Sequence, residues 1–140
     1  MDAVAELNTK IDGAAADPFA VAVCDVNGLK AINDTLGHQA GDKLIREASM
    51  LICNTFKHSP VYRVGGDEFV VILIGQDYEQ RDALTREMQE RNRRNREDGG
   101  VVIACGTPAW ACGEDSRFEA VFDRADTAMY ENKTALKTQA

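Results

Sequence analysis

The chain is short of aromatic residues, proline and histidine, with one Trp, three Tyr, five Phe, three Pro and two His in 140 residues. With so few rings, the basic run Arg91-Asn92-Arg93-Arg94-Asn95-Arg96 has no interleaved aromatics on which bases could stack. It reads as a solvated helix end rather than an RNA-binding arm. An excess of positive charge is also missing. Sixteen Lys and Arg stand against 23 Asp and Glu, a net charge of −7, whereas a general nucleic-acid binder presents a basic face. A polyanionic substrate remains open if local lysines and metal offset the acidic field. No apolar run approaches the ~18 residues that suggest a membrane span, and no signal peptide is evident. The four cysteines, Cys24, Cys53, Cys105 and Cys112, form no CxxC pair and no zinc-like spacing with His38 or His58. Cys24 and Cys105 sit in apolar, strand-like runs and read as buried free thiols, which points to a reducing compartment. These absences leave one ordinary soluble domain, residues 1–140, long enough to bury a core.

The apolar spacing lays out the elements. Val4, Leu7 and Ile11 have helical spacing. Phe19 to Cys24 is a nearly continuous apolar run, the mark of a buried strand. The chain then turns through Asn27-Gly28 into a short helix around Lys30 to Thr35. From Gly41 to Phe56, apolar positions recur at helical steps and predict an amphipathic helix. Pro60 to Val64 and Phe69 to Ile74 read as two strands joined by a glycine turn, a β-hairpin. Tyr78 to Glu97 predicts an exposed helix anchored by Leu84 and Met88. Val101 to Cys105 predicts another buried strand, which Ala109 to Cys112 pairs with or extends. Phe118, Val121, Phe122, Ala125 and Met129 mark a closing helix. Strands alternating with helices around a hairpin give an α/β (α+β) fold: a mixed, partly antiparallel sheet covered by helices, of the ferredoxin-like kind.

Chemistry concentrates at Arg63-Val64-Gly65-Gly66-Asp67-Glu68-Phe69. Two carboxylates stand at a hairpin tip beside backbone without side chains, where a large charged ligand can approach closely. Such a site suits a magnesium–nucleotide complex; a solvated turn is the plainer alternative. Asp25 ends the first buried strand, the end where α/β sheets usually bind ligands, although an acid there also suits a turn or helix cap. If that strand lies beside the hairpin, Asp25 approaches Asp67 and Glu68, and three acids in one place persist more readily around a divalent metal. Asn33, Asp34 and Asp42 offer an amide and carboxylates suited to the adjacent donors of guanine, or serve only as helix-end residues. Lys133 and Lys137, four apart on one helix face, could meet the same phosphates or stay solvated.

These motifs resemble the GGDEF domains, the diguanylate cyclases named for the hairpin. The likeness runs from about Phe19 to Lys137. It rests on four ordered blocks: Asp25-Val26-Asn27-Gly28-Leu29-Lys30-Ala31-Ile32-Asn33-Asp34; Gly37-His38 with Gly41-Asp42; Arg63 to Phe69; and Ala125-Asp126-Thr127-Ala128-Met129-Tyr130 with Lys133. The resemblance implies that Asp25 and Asp67, with the Val26 carbonyl, bind Mg²⁺ (or Mn²⁺), and that Glu68 is a further metal ligand or a proton acceptor. It implies that Asn33 and Asp42 hold guanine, and that Lys30, Lys133, Lys137 and backbone N–H groups near Gly28 and Leu29 hold the triphosphate of GTP. Gly65 and Gly66 would let the nucleotide lie against the hairpin. The implied reaction condenses two GTP into cyclic di-GMP and two pyrophosphates, in a homodimer with the two domains facing each other.

Departures from the family pattern carry expectations too. Asn27 stands where Asp is common, Leu29 where an aromatic is common, and Lys137 where Arg is common; the last keeps the charge but loses the bidentate fork. No first metal ligand is lost. The inhibitory RxxD motif would fall at Phe56-Lys57-His58-Ser59, so feedback by cyclic di-GMP at that site is not expected. The family's Asp followed by LTGLxNR is missing. The expectation is an N-terminally trimmed domain excised from a larger signalling protein, with an upstream sensory or receiver domain. The domain itself is expected in the cytoplasm, even where the parent is membrane-anchored. Two other readings stay open. One is a catalytically weak GTP-binding regulatory GGDEF module, against which the intact Asp67-Glu68 argues. The other is a different nucleotidyl cyclase, against which the carboxylate of Asp42 argues, being poorly matched to adenine.

Overall fold

The computed structural model describes residues 19–106, 109–110 and 118–138. The helix expected over Val4 to Ile11 lies outside these residues. Strand β1 (Ala20–Val26) is buried along its whole length, as its apolar run requires. It is followed by α1 (Leu29–Leu36) and α2 (His38–Thr55), then β2 (Val61–Arg63) and β3 (Glu68–Leu73), α3 (Gly75–Glu79), α4 (Arg81–Asp98), β4 (Ile103–Cys105), β5 (Ala109–Trp110) and α5 (Phe118–Thr138). The sheet order is β2-β3-β1-β4, with β5 also on β1. Every described pairing is antiparallel.

Two-residue periodicity divides the core. Ala20, Ala22, Cys24 and Val26 of β1, with Phe69, Val71 and Leu73 of β3, pack with Ile45, Ala48 and Ile52 of α2 and Met88 of α4. The alternate residues Val21 and Val23, with Val70 and Ile72, pack on the opposite face against Val121, Ala125 and Met129 of α5. Successive strand side chains point to opposite faces, so a doubly covered strand must be apolar throughout. This is why β1 reads as an unbroken run.

The single helix expected over Tyr78 to Glu97 is two. The break falls at Gln80, where the Arg81 guanidinium lies 4.3 Å from the Tyr78 ring centre and donates to the Tyr78 carbonyl at 2.9 Å. Val101 and Val102 are not strand residues; β4 keeps only its last three. Strand β5 pairs Ala109 and Trp110 with Val21 and Ala20, continuing the line of β4 along one edge of β1.

The outer edge of β4 is covered by side-chain amides. Asn92 donates to the Ile103 carbonyl at 2.6 Å and accepts from its N–H at 2.9 Å. Asn95 donates to the Val101 carbonyl at 2.7 Å, and Asn132 accepts from the Cys105 N–H at 3.0 Å. Three amides thus occupy the backbone groups of alternate residues 101, 103 and 105, which would otherwise invite a further strand. Just beyond, a side chain at Gly106 would collide with the backbone of Ala128, so α5 sits hard against the end of β4.

Candidate active site at the end of the central strands

The site forms where β1 ends and β3 begins. Asp25 and Glu68 are register partners. The pairing is extended by the Val26 N–H, which donates to the Asp67 carbonyl at 2.8 Å. By strand parity, Asp25 follows Val21 and Val23, and Glu68 precedes Val70 and Ile72, so both acids project toward the face covered by α5. That helix brings Lys133 one turn beyond Met129, with Nζ 3.5 Å from Oδ1 of Asp25. The structure therefore brings Asp25, Asp67, Glu68 and Lys133 together.

Asp25 is buried, only 6% exposed. Burial, and then the negative charge of Asp67, push its carboxyl above the usual carboxylate range; Lys133 pulls it back, while Asp126 adds to the rise. Glu68 is also raised, first by burial and then by Asp126, Asp25 and Asp67, again against Lys133. One lysine does not satisfy this many acids. Among the described residues, no three His, Cys, Asp or Glu side chains form a closed metal cage. The donor set nonetheless suits Mg²⁺, which commonly takes one or two carboxylates, keeps several waters and completes its shell with substrate phosphates.

The hairpin turn is held by Arg63, which donates to the carbonyl oxygens of Gly65 at 3.2 Å and Gly66 at 2.6 Å. Neither glycine has a positive φ. A side chain at Gly66 would meet nothing within 4 Å. The backbone therefore does not demand glycine there; a side chain at Gly65 would make ordinary contact with Cβ of Glu68 at 3.7 Å, and one at Gly66 would enter open space.

On the other side, Gly28 (φ 77°) turns the chain into α1 without a side-chain cap, leaving first-turn N–H groups free of intrahelical partners, as an anion site requires. The amide of Asn33 lies so close to the buried Gly41 that a side chain there would collide with it. This places Asn33 beside the start of α2, where Asp42 is exposed. Leu29 is partly buried against the core, while Lys30 and Asp34 are exposed on α1. A cleft of about 610 Å³ runs from Asn27 and Gly28 past Ile32 and Leu44 to Lys133 and Arg96. Lys137 falls within α5, but its side chain lies outside the described ones.

Three residues at or near this site have roles that the sequence does not reveal. Asp126 bears on both raised acids; the sequence offers it only as a member of the Ala125–Tyr130 block, two helical turns before Lys133. Arg96 lines the cleft, hidden within a basic run that reads as a solvated helix end. Asn132, next to Lys133, fixes α5 to β4; nothing in the sequence marks it.

Comparison with known proteins finds relatives of the whole described fold. The family model "Diguanylate cyclase, GGDEF domain" matches residues 3–139. The response regulator PleD of Caulobacter vibrioides is 34% identical over 131 residues, covering 85% of this chain and 28% of PleD. The diguanylate cyclase DosC of Escherichia coli is 30% identical over 122 residues, covering 81% of this chain and 26% of DosC. The chain thus spans about a quarter of the length of these relatives. Among solved structures, the GGDEF domain of DgcB from Caulobacter crescentus, in complex with c-di-GMP, superposes with a TM-score of 0.74 at 26% identity, covering 96% of this chain and 82% of that one.

Proposed function

The chain belongs to the GGDEF family of diguanylate cyclases, and from that premise we propose that it condenses two GTP into cyclic di-GMP and two pyrophosphates. One domain holds one GTP, and two domains meet face to face. Asn33 and Asp42 receive the guanine, the carboxylate accepting from N1–H and the exocyclic amine. Lys30, Lys133 and Lys137, with the N–H groups at Gly28 and Leu29, hold the phosphates. Asp25, Asp67 and the Val26 carbonyl, with Glu68, hold Mg²⁺, which when bound lowers the pKa of the attacking hydroxyl and screens the phosphoryl oxygens. Gly65 and Gly66 leave room for the nucleotide over the hairpin.

In each half-reaction the 3′-hydroxyl of one GTP attacks the α-phosphorus of the other. Its proton passes to Glu68 or to water, and pyrophosphate leaves. Two such steps close the ring. The protein mainly positions and screens.

The observation that carries this reading is the Asp25–Glu68 register pair, with Lys133 as its nearby cation. These acids lie over a turn whose glycines the fold does not need. The test is incubation of a dimerised form, made with a fused dimerising helix, with GTP and Mg²⁺ and identification of products by mass spectrometry. Cyclic di-GMP with pyrophosphate is expected. GTP binding without turnover would favour a regulatory GTP-binding module, and preferential turnover of ATP would overturn the guanine assignment.

A further inference from the structure

Cys24 of β1 and Cys105 of β4 are register partners, and their Sγ atoms lie 3.3 Å apart. Both side chains are buried. The Cys105 N–H turns outward to Asn132, while the next backbone link between the strands runs from the Asn27 N–H to the Val102 carbonyl. The two cysteines therefore form a non-hydrogen-bonded pair, the type in which Cα atoms approach most closely, to about 4.5 Å. That spacing lies within the roughly 4.4–6.8 Å that a disulfide accepts.

We infer that Cys24 and Cys105 form one oxidation site, converted by hydrogen peroxide into a disulfide that ties β1 to β4. The peroxide transfers one oxygen to the first thiol, giving a sulfenic acid and one water. The second thiol then displaces that oxygen as a second water as the S–S bond forms. Two thiol hydrogens and two electrons reduce one peroxide, and the step balances without another reactant. Burial excludes bulky oxidants and leaves access to a small one during local opening of the short strand β4. Among the described residues, the exposed Cys53 has no such cysteine partner.

The pair is linked to the candidate active site by a closed ring of contacts. Cys24 is bonded in sequence to Asp25. The Asp25 carboxylate lies 3.5 Å from Lys133, Lys133 adjoins Asn132, and Asn132 accepts the Cys105 N–H. Drawing the sulfurs from 3.3 Å to about 2.05 Å shortens one side of this ring and shifts Asp25 against Lys133. Displacements near 1 Å at a reaction centre cost as much as roughly 100-fold in rate. This coupling rests on the proposed cyclase reading; the oxidation site does not.

The test uses the dimerised protein with Cys53→Ser and Cys112→Ser, leaving two thiols. After hydrogen peroxide, intact mass is expected to fall by two hydrogens, with a peptide joining Cys24 to Cys105 that dithiothreitol releases. Cyclic di-GMP production is expected to drop roughly tenfold or more and to recover on reduction. Cys105→Ala, or Cys24→Ala should that variant fold poorly, is expected to abolish the response. Thiols that stay titratable, or oxygen adducts without a cross-link, would overturn the site. A cross-link with unchanged turnover would overturn the coupling. If the reduced protein makes no cyclic di-GMP, the proposed function fails, while the mass result still decides the site. In that case the shift in Tm caused by Mg²⁺, compared between oxidised and reduced protein, decides the coupling.

Discussion

The Val26 N–H donates to the Asp67 carbonyl at 2.8 Å, locking the end of the first strand to the acidic turn. Asp25 on β1 and Asp67, the turn residue just before β3, are thereby held together by backbone rather than by flexible side chains. A backbone tie of this kind fixes two mutually repelling carboxylates in place before any cation arrives.

That repulsion has a cost in stability that metal should remove. The folded-state pKa values of Asp25 and Glu68 are raised. Their protonated forms therefore favour the fold at pH below the ordinary carboxylate range, and this contribution is lost as pH rises through the raised values. Without divalent cation, Asp25→Asn is expected to raise Tm at pH 7 by on the order of 3 °C, while cutting turnover at least roughly 100-fold. Mg²⁺ is expected to stabilise the native chain at pH 7 and to have little effect on the variant. Thermal melts across pH 4–8, with and without Mg²⁺, check the sign.

Gly66→Ala separates fold from function. The added methyl meets no protein atom within 4 Å and no left-handed backbone is required, so Tm should move by less than about 2 °C. The KM for GTP is expected to rise roughly tenfold, because the methyl enters the space proposed for the nucleotide. Steady-state kinetics beside a thermal melt decides it.

Asn92→Ala should act on the fold rather than on the chemistry. Its amide makes two hydrogen bonds to the backbone of Ile103 at the edge of β4, and its loss leaves a buried N–H and carbonyl unpaired. A destabilisation of about 2–3 kcal/mol is expected, measured by urea unfolding. The same change uncovers a strand edge, so light scattering should detect greater self-association.

Feedback should be absent at the segment Phe56-Lys57-His58-Ser59. Its His58 N–H and Ser59 hydroxyl are given to the buried Asp77 at 2.9 and 2.7 Å, and it offers no Arg–Asp pair to a cyclic dinucleotide. Added cyclic di-GMP at micromolar concentration is expected to leave the initial rate unchanged through this segment, and calorimetry should detect no binding that Lys57→Ala removes.

Much of this was legible in the sequence because it rests on local pattern. The apolar run of β1, the three- and four-residue spacing of α2 and the glycine turn of the hairpin each express a period or a turn chemistry that needs no distant partner. The acids were legible because β1 and β3 had to be neighbours for Asp25 to matter, and the structure makes them so. The break at Gln80 was not, because it depends on Arg81 folding back over Tyr78. The amide-covered edge of β4 was not, because Asn92, Asn95 and Asn132 come from two helices and meet only in three dimensions. Asn132 carries no signal of its own and Asp126 only its place in the Ala125–Tyr130 block; their importance comes from where α5 lands on the sheet.

The most direct test of the central claim is the initial rate of cyclic di-GMP formation from GTP and Mg²⁺ as a function of the concentration of the unfused domain. If two domains each bring one GTP to a shared interface, the rate rises with the square of domain concentration until the dimer saturates, and Asp25→Asn abolishes it. A rate strictly proportional to domain concentration, or no cyclic dinucleotide even in the fused dimer, would contradict the account.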